Sequence, residues 1–317
     1  MVNLHPFRSP DRLISSRLTQ IVSVINRFRH RFGIPSTVLS ICLGIATLLT
    51  VLSTPAQAVQ VQAQPTNPQL GDTITVLIQT EGTTSEPPSV TLNQNTYPAF
   101  SLGANRYRAL VPTTPLDRPG GINLQVNAGG STETIALQLR DRSFPTQSLW
   151  ISGAGSLGTD HEFDRVDAFK QLVTPEKYWN GAFLRPSPGE ITTVYGVRRY
   201  YNGEFAQDYF HRGVDYAAPT GDPIVAPAAG RVALVGTVQE GFELHGNTIG
   251  IDHGQGVVSI FLHLSRIDVQ EGDFVQPGQR IGAVGATGGV TGPHLHWGLY
   301  VHGQSVDPVP WRYEAIE

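Results

Sequence analysis

The chain holds a single cysteine in 317 residues, Cys42, which falls in an apolar stretch near the N-terminus. A disulfide framework and a catalytic thiol are therefore excluded for the rest of the sequence. Lysine is nearly absent, Lys170 and Lys177 being the only two. No Gly-x-Ser-x-Gly occurs, which removes one class of serine hydrolase. No His-Glu-x-x-His occurs either, so the helical zinc motif with an adjacent glutamate base is missing. Residues 59–140 contain no histidine at all, and that region offers no catalytic cluster.

What is present begins with charge and an apolar run. Six arginines, Arg8, Arg12, Arg17, Arg27, Arg29 and Arg31, precede the run Ser36 to Leu52, and Ala56-Gln57-Ala58 supplies the small residues a signal peptidase reads. Residues 1–58 are thus predicted to be a signal peptide that exports the chain to the periplasm, cell envelope or extracellular space. Left uncleaved, the 17-residue run would act as an N-terminal membrane anchor, at the short edge of a span. Without residues 1–58 the chain keeps 16 of its 22 basic and 25 of its 26 acidic residues, a net charge of −9. Nucleic acid is excluded as a partner on that charge.

Residues 59–140 alternate apolar and polar positions in short runs, among them Thr73 to Ile78, Ser89 to Leu92, Tyr107 to Val111, Ile122 to Val126 and Thr134 to Leu139. Period-two runs divided by Pro- and Gly-containing turns predict an Ig-like antiparallel β-sandwich, with a spacer or binding role. Residues 141–180 are predicted to be a linker and a helix. Asp141 to Gly158 is rich in Ser, Gly and Thr and is expected to be flexible, part of it packing through Leu149, Trp150 and Ile151. Thr159 and Glu162 form a capping box, and Phe163, Val166, Phe169 and Leu172 recur at helical spacing until Pro175; His161, in the first turn, is expected to be exposed. Residues 181–317 carry 22 of the 34 glycines, dividing apolar runs such as Gly230 to Gly236, Thr248 to Ile251 and Val257 to Leu264. The expectation is a compact antiparallel β-domain, so the chain as a whole is mainly β.

The chemistry-bearing residues all fall in 181–317. In Pro293-His294-Leu295-His296-Trp297 the strand period puts both imidazoles on one face and Leu295 and Trp297 on the other, a geometry suited to metal. His211-Arg212-Gly213-Val214-Asp215 sets a histidine and a carboxylate four apart, and Gly213 favours a loop or extended segment over a helix. His263 interrupts the apolar strand Ile260 to Leu264. His245, His253 and His302 each sit beside a glycine and read as turn residues, with His245, Tyr200, Tyr201 and Tyr209 as possible walls of a groove.

Three separated motifs, His211 to Asp215, Phe261 to Ser265, and Gly282 to Gly288 followed by Thr291 to His296, together resemble the lysostaphin-type zinc metallopeptidases, which cut peptidoglycan peptides. The resemblance covers about Gly181 to Pro308. It implies an exported metalloprotease with one zinc per chain held by His211, Asp215 and His296. His263 and His294 are then the catalytic, non-ligating histidines, and peptidoglycan is the partner. Two other readings compete. A hairpin around Gly272, Pro277 and Gly278 resembles biotinyl and lipoyl carriers, but no lysine follows Lys177 to be modified. A catalytically silent, wall-binding or hydrolase-activating relative would lack ligands, and all five motif residues are here.

Overall fold

The computed structural model describes residues 59–150 and 158–316. The targeting segment predicted over 1–58 lies outside them, and among the described residues no helix is long and apolar enough to cross a membrane. The chain is mostly β, with one α-helix among the described residues.

Eight strands build the N-terminal part: β1 (Gln60–Gln64), β2 (Thr73–Gln79), β3 (Ser89–Leu92), β4 (Asn95–Pro98), β5 (Phe100–Gly103), β6 (Arg106–Pro112), β7 (Gly120–Ala128) and β8 (Ser131–Leu139). They form two four-stranded antiparallel sheets, ordered β1-β2-β6-β5 and β4-β3-β7-β8. The alternation seen in the sequence decides which side chains go between them: Ile74, Val76, Ile78, Val90, Val111, Leu124 and Val126 are all buried in one core. The five runs read from the sequence are β2, β3, β6, β7 and β8. The polar strands β1, β4 and β5 carry too few apolar residues to announce themselves.

After the sandwich come β9 (Thr146–Leu149), α1 (Asp160–Lys170), β10 (Glu190–Thr193), β11 (Arg198–Tyr201), β12 (Glu204–Phe205), β13 (Val214–Ala217) and β14 (Pro223–Val225). Then follow β15 (Gly230–Gly236), β16 (Asn247–Gly254), β17 (Val257–Leu264), β18 (Arg266–Ile267), β19 (Phe274–Val275), β20 (Arg280–Ala283), β21 (His294–Val301) and β22 (Gln304–Val306). The main sheet runs β10-β13-β21-β17-β16-β15-β19, with β22 added to β21. Its pairings are antiparallel, as the tight glycine turns require.

One face of this sheet turns Val214, Tyr216, Phe261, Leu295, Trp297 and Leu299 into the principal core. On the other face Leu234, Val258, Ile260, Leu262 and Tyr300 pack against Val166 and Phe169 of α1. Strand β21 therefore carries His294, His296, Gly298 and Tyr300 on the face that α1 partly covers.

The described part of the stretch expected to be a flexible linker is built into the fold. β9 pairs in parallel with β11, Arg142 bridges to Asp307 at 2.8 Å, and the Phe144 ring meets Tyr195 edge-on. Of the three residues expected to pack there, Leu149 is half-buried, Trp150 is 79% exposed and Ile151 lies outside the described residues. The sandwich is docked as well, since Leu110 of β6 lies in the principal core. Arg108 of the same strand is fully buried, its guanidinium 4.8 Å from the centre of the Trp179 ring and donating to Gln255. The helix starts at the predicted capping box, with Thr159 accepting from the Glu162 N–H and Glu162 accepting from the Thr159 N–H, and His161 is exposed.

Candidate metal centre

Three neighbouring strands assemble the site. In the β13-β21 register Asp215 stands directly opposite His296, and Ala217 opposite His294. Across the other edge of β21, Leu262 faces His296, which brings His263 to the same end of the sheet. Strict alternation would turn His263 into the principal core beside Phe261. Instead the β16-β17 register slips near this end, and His263 takes a left-handed backbone, φ 68°, that re-aims its ring onto the site face. His211 lies in the loop before β13, held to the backbone of Val197 by its N–H at 2.9 Å and accepting from Gly196 at 2.9 Å. The Gly213 between the two motif residues has a steric reason. A Cβ there would lie 2.4 Å from the Trp297 carbonyl and 2.7 Å from His296 Nε2.

His211 Nε2, Asp215 Oδ1 and His296 Nδ1 converge. Asp215 Oδ1 is 3.0 Å from His211 Nε2 and 2.9 Å from His296 Nδ1, and the two nitrogens are 3.1 Å apart. All three residues are buried, and one ligand atom from each lies within 4.8 Å of the others. The protonation pattern fits a cation. His211 Nδ1 faces the Val194 carbonyl at 2.9 Å, an acceptor only, so it carries the proton and leaves Nε2 a lone pair. Burial alone would raise the Asp215 pKa, but the His211 and His296 rings set against its oxygen outweigh it and hold the carboxyl well below the usual range. Burial pushes His296 down to about 4, so a neutral imidazole faces the carboxylate. Two imidazoles and one carboxylate, desolvated around a common point, are a donor set suited to zinc.

Two further imidazoles border this point. His263 and His294 have ring centres 5.0 Å apart, and His263 is 6.4 Å from His296. His294 Nε2 is 3.8 Å from Asp215 Oδ1. Each donates through Nδ1 to a carbonyl, His263 to Thr287 at 3.0 Å and His294 to Gly292 at 2.9 Å. With Nδ1 donating, Nε2 is the atom each ring turns to the site. Burial, reinforced by His296 and His294, pushes His263 down to about 3.

The other histidines divide. His253 is not a turn residue: it is fully buried in β16, donating through Nδ1 to Ala229 and accepting at Nε2 from the Ser259 hydroxyl, both at 2.9 Å. His302 does sit in a turn. The His245 ring is tied down, its Nδ1 donating to Glu162 at 3.1 Å. Glu162 was legible only as a capping residue, because nothing local in sequence ties it to a loop 82 positions away. Near His211, Arg199 donates to the Tyr209 hydroxyl at 3.0 Å, and burial raises that phenol to about 12.

Fold and site together define an antiparallel β-sheet protein with a two-histidine, one-aspartate candidate metal centre. The chain carries a Peptidase family M23 domain at its C-terminus, matching over residues 209–308. Over 99 residues it is 44% identical to the DD-carboxypeptidase/endopeptidase Mpg of Neisseria meningitidis serogroup B, a stretch covering 31% of this chain and 22% of that protein. It is 42% identical over 97 residues to the peptidoglycan DD-endopeptidase ShyA of Vibrio cholerae, again 31% of this chain and 22% of the relative. The chain therefore spans less than a quarter of the length of these relatives. A crystal structure of a peptidase M23 protein from Pseudomonas aeruginosa, described as putative in its own name, is 28% identical. It covers 78% of this chain and 95% of its own, with a TM-score of 0.58.

Proposed function

We propose that the chain is an exported, zinc-dependent endopeptidase that hydrolyses peptide stems or cross-bridges of peptidoglycan. The observation that carries this reading is the convergence of three ligand atoms within 4.8 Å of one another, bordered by two imidazoles that turn their Nε2 atoms to the site. The names of the M23 relatives, peptidoglycan endopeptidases among them, supply the substrate class. His211 through Nε2, Asp215 through Oδ1 and His296 through Nδ1 would hold one zinc per chain. When bound, the metal supplies a Lewis acid and lowers the pKa of water to about 7.

The chain's own residues do the rest. Of His263 and His294, one Nε2 would take the proton of the attacking water and, as the imidazolium so formed, pass that proton to the leaving amine; the other, carrying a proton taken from solvent, would donate to the developing oxyanion. Each such role is worth roughly 10²- to 10⁴-fold in rate. Residues 59–140 form the accompanying module, and 181–317 the peptidase domain. The sandwich would orient the enzyme on its polymer.

Digestion of purified sacculi by the protein, with and without chelator, followed by mass spectrometry of the fragments, tests the reading. New peptide termini that vanish with chelator are expected; intact stems under both conditions would refute it. Zinc content and turnover on the same batches separate the roles. Asp215→Ala and His296→Ala are expected to lose the metal. His263→Ala and His294→Ala are expected to keep it while turnover falls by about 10²-fold or more.

A further inference from the structure

The capping box explains one contact of Glu162, and the side chain makes several more. Its carboxylate is fully buried although it sits in the first turn of a surface helix. Beside the Thr159 N–H at 2.9 Å, it accepts from the N–H of Leu244 at 3.1 Å, the N–H of His245 at 3.2 Å and the His245 ring at 3.1 Å. A helix cap needs one of these bonds. The others tie α1 to residues 244–245.

That loop holds His263 from two sides. The His245 carbonyl accepts the His263 N–H at 3.0 Å. The same loop also fixes Thr287, the residue whose carbonyl accepts His263 Nδ1: Asn247 donates its N–H to Thr287 Oγ1 at 2.9 Å, and Gly289 donates to the Leu244 carbonyl at 2.9 Å. Gly246 is left-handed, and a Cβ on it would lie 2.4 Å from the Thr287 carbonyl, so loop and segment are in direct contact. His263 itself is left-handed and not glycine, a backbone kept only where its surroundings hold it.

We propose that Glu162, in α1 and outside the matched family domain, is a positioning residue that sets the ring and tautomer of His263 through residues 244–247 and Thr287. The inference rests on the reading of His263 as catalytic. It makes α1 a working part of the peptidase.

Glu162→Gln in the full chain isolates this role. Glutamine keeps the shape and the capping box, but its amide donors face the N–H groups of residues 244–245. Metal content and KM are expected to stay at wild-type values, while kcat falls about 10- to 100-fold, the scale for losing an outer support of an active-site histidine. Long-range ¹H–¹⁵N spectra of the metal-free protein should show the His263 ring leaving the Nδ1–H form while the His253 ring does not move. Wild-type kcat and an unmoved His263 ring would overturn the proposal, as would equal disturbance of both rings. His263→Ala is assayed alongside. If it retains full turnover, the functional reading fails, and the ring spectra still decide the positioning. Should Glu162→Gln not fold, hydrogen exchange in the wild type decides. The Leu244, His245 and His263 amides are expected to open together, and independent opening of His263 would refute the link.

Discussion

Gly213 shows how much of the site is set by a residue with no side chain. The Cβ that any other residue would add meets both the Trp297 carbonyl and the His296 ring. Gly213→Ala is therefore expected to push His296 off Asp215 and weaken metal binding by at least about 10-fold, as supporting changes at metal sites do. A competitive chelator titration measures it, and unchanged affinity would count against the assigned ligand set. A second prediction concerns pH. Burial lowers His253 to about 4, against an ordinary value near 6.5, and His302 shifts the same way to about 4. Both are neutral in the fold, so the unfolded chain binds protons first on acidification. Stability is then complete above about pH 6.5 and is lost as pH falls toward 4, His253 alone contributing on the order of 3 kcal/mol. Urea unfolding at pH 7 and pH 4.5 checks this, and a flat profile would contradict it. At this scale the metal-site geometry was legible in part. The strand period put His294 and His296 on one face, whereas the choice of His296 as ligand came only from resemblance. His253 was misread because a glycine follows it, though Ser259 bonds its ring and the Phe183 ring lies 4.9 Å away.

Elements declared themselves in proportion to how one-sided their surroundings are. Strands β2 and β7 bury one face in a core and so alternate cleanly in the sequence. β17 is buried on both faces, against α1 and against the principal core, and reads as a continuous apolar run. β9 was illegible because Thr-Gln-Ser-Leu buries little, and its parallel partner β11 lies about fifty residues on. For α1 the cap was visible in sequence, but its second attachment was not: Thr159 Oγ1 donates to the Gly241 carbonyl at 2.7 Å while accepting from Glu162. Thr159→Ala removes both bonds, and is expected to cost about 1 to 2 kcal/mol, the upper part of the range for losing an N-cap. Chemical denaturation of wild type and variant measures the difference. A cost near zero would mean that Glu162 alone anchors the helix start.

For the molecule as a whole, the open question is whether the sandwich is a passenger or part of the folded body. Its sequence, with no histidine and a Ser/Gly-rich stretch after it, suggested a tethered passenger. The buried surface argues otherwise. Arg108 is a charged residue with no exposed surface, and burial lowers its pKa only to about 10, so it stays a cation at neutral pH. Its partners all come from outside the sandwich: the Gln255 side chain, the Ile316 carbonyl at 3.3 Å and the face of Trp179. Arg108→Ala leaves the Gln255 oxygen short of its donor and opens space beside Trp179. The loss of a hydrogen bond made by a charged group is expected to cost about 1.5 to 3 kcal/mol. Since Arg108 joins the two parts, the cost should fall on their coupling. Wild type is expected to unfold in one thermal transition, and Arg108→Ala in two, with hydrolysis of soluble peptides little changed because none of the five site residues touches the arginine. A chain begun at Thr159 carries the same argument further. It keeps His211, Asp215, His263, His294 and His296 but loses β9, the Arg142–Asp307 bridge and the cover on Trp179. It should retain peptide hydrolysis at low temperature while unfolding several degrees below the full chain, at about 2 to 4 °C per kcal/mol lost for a body of this size. Equal melting temperatures for the two chains would show that the docked sandwich contributes nothing to the stability of the peptidase.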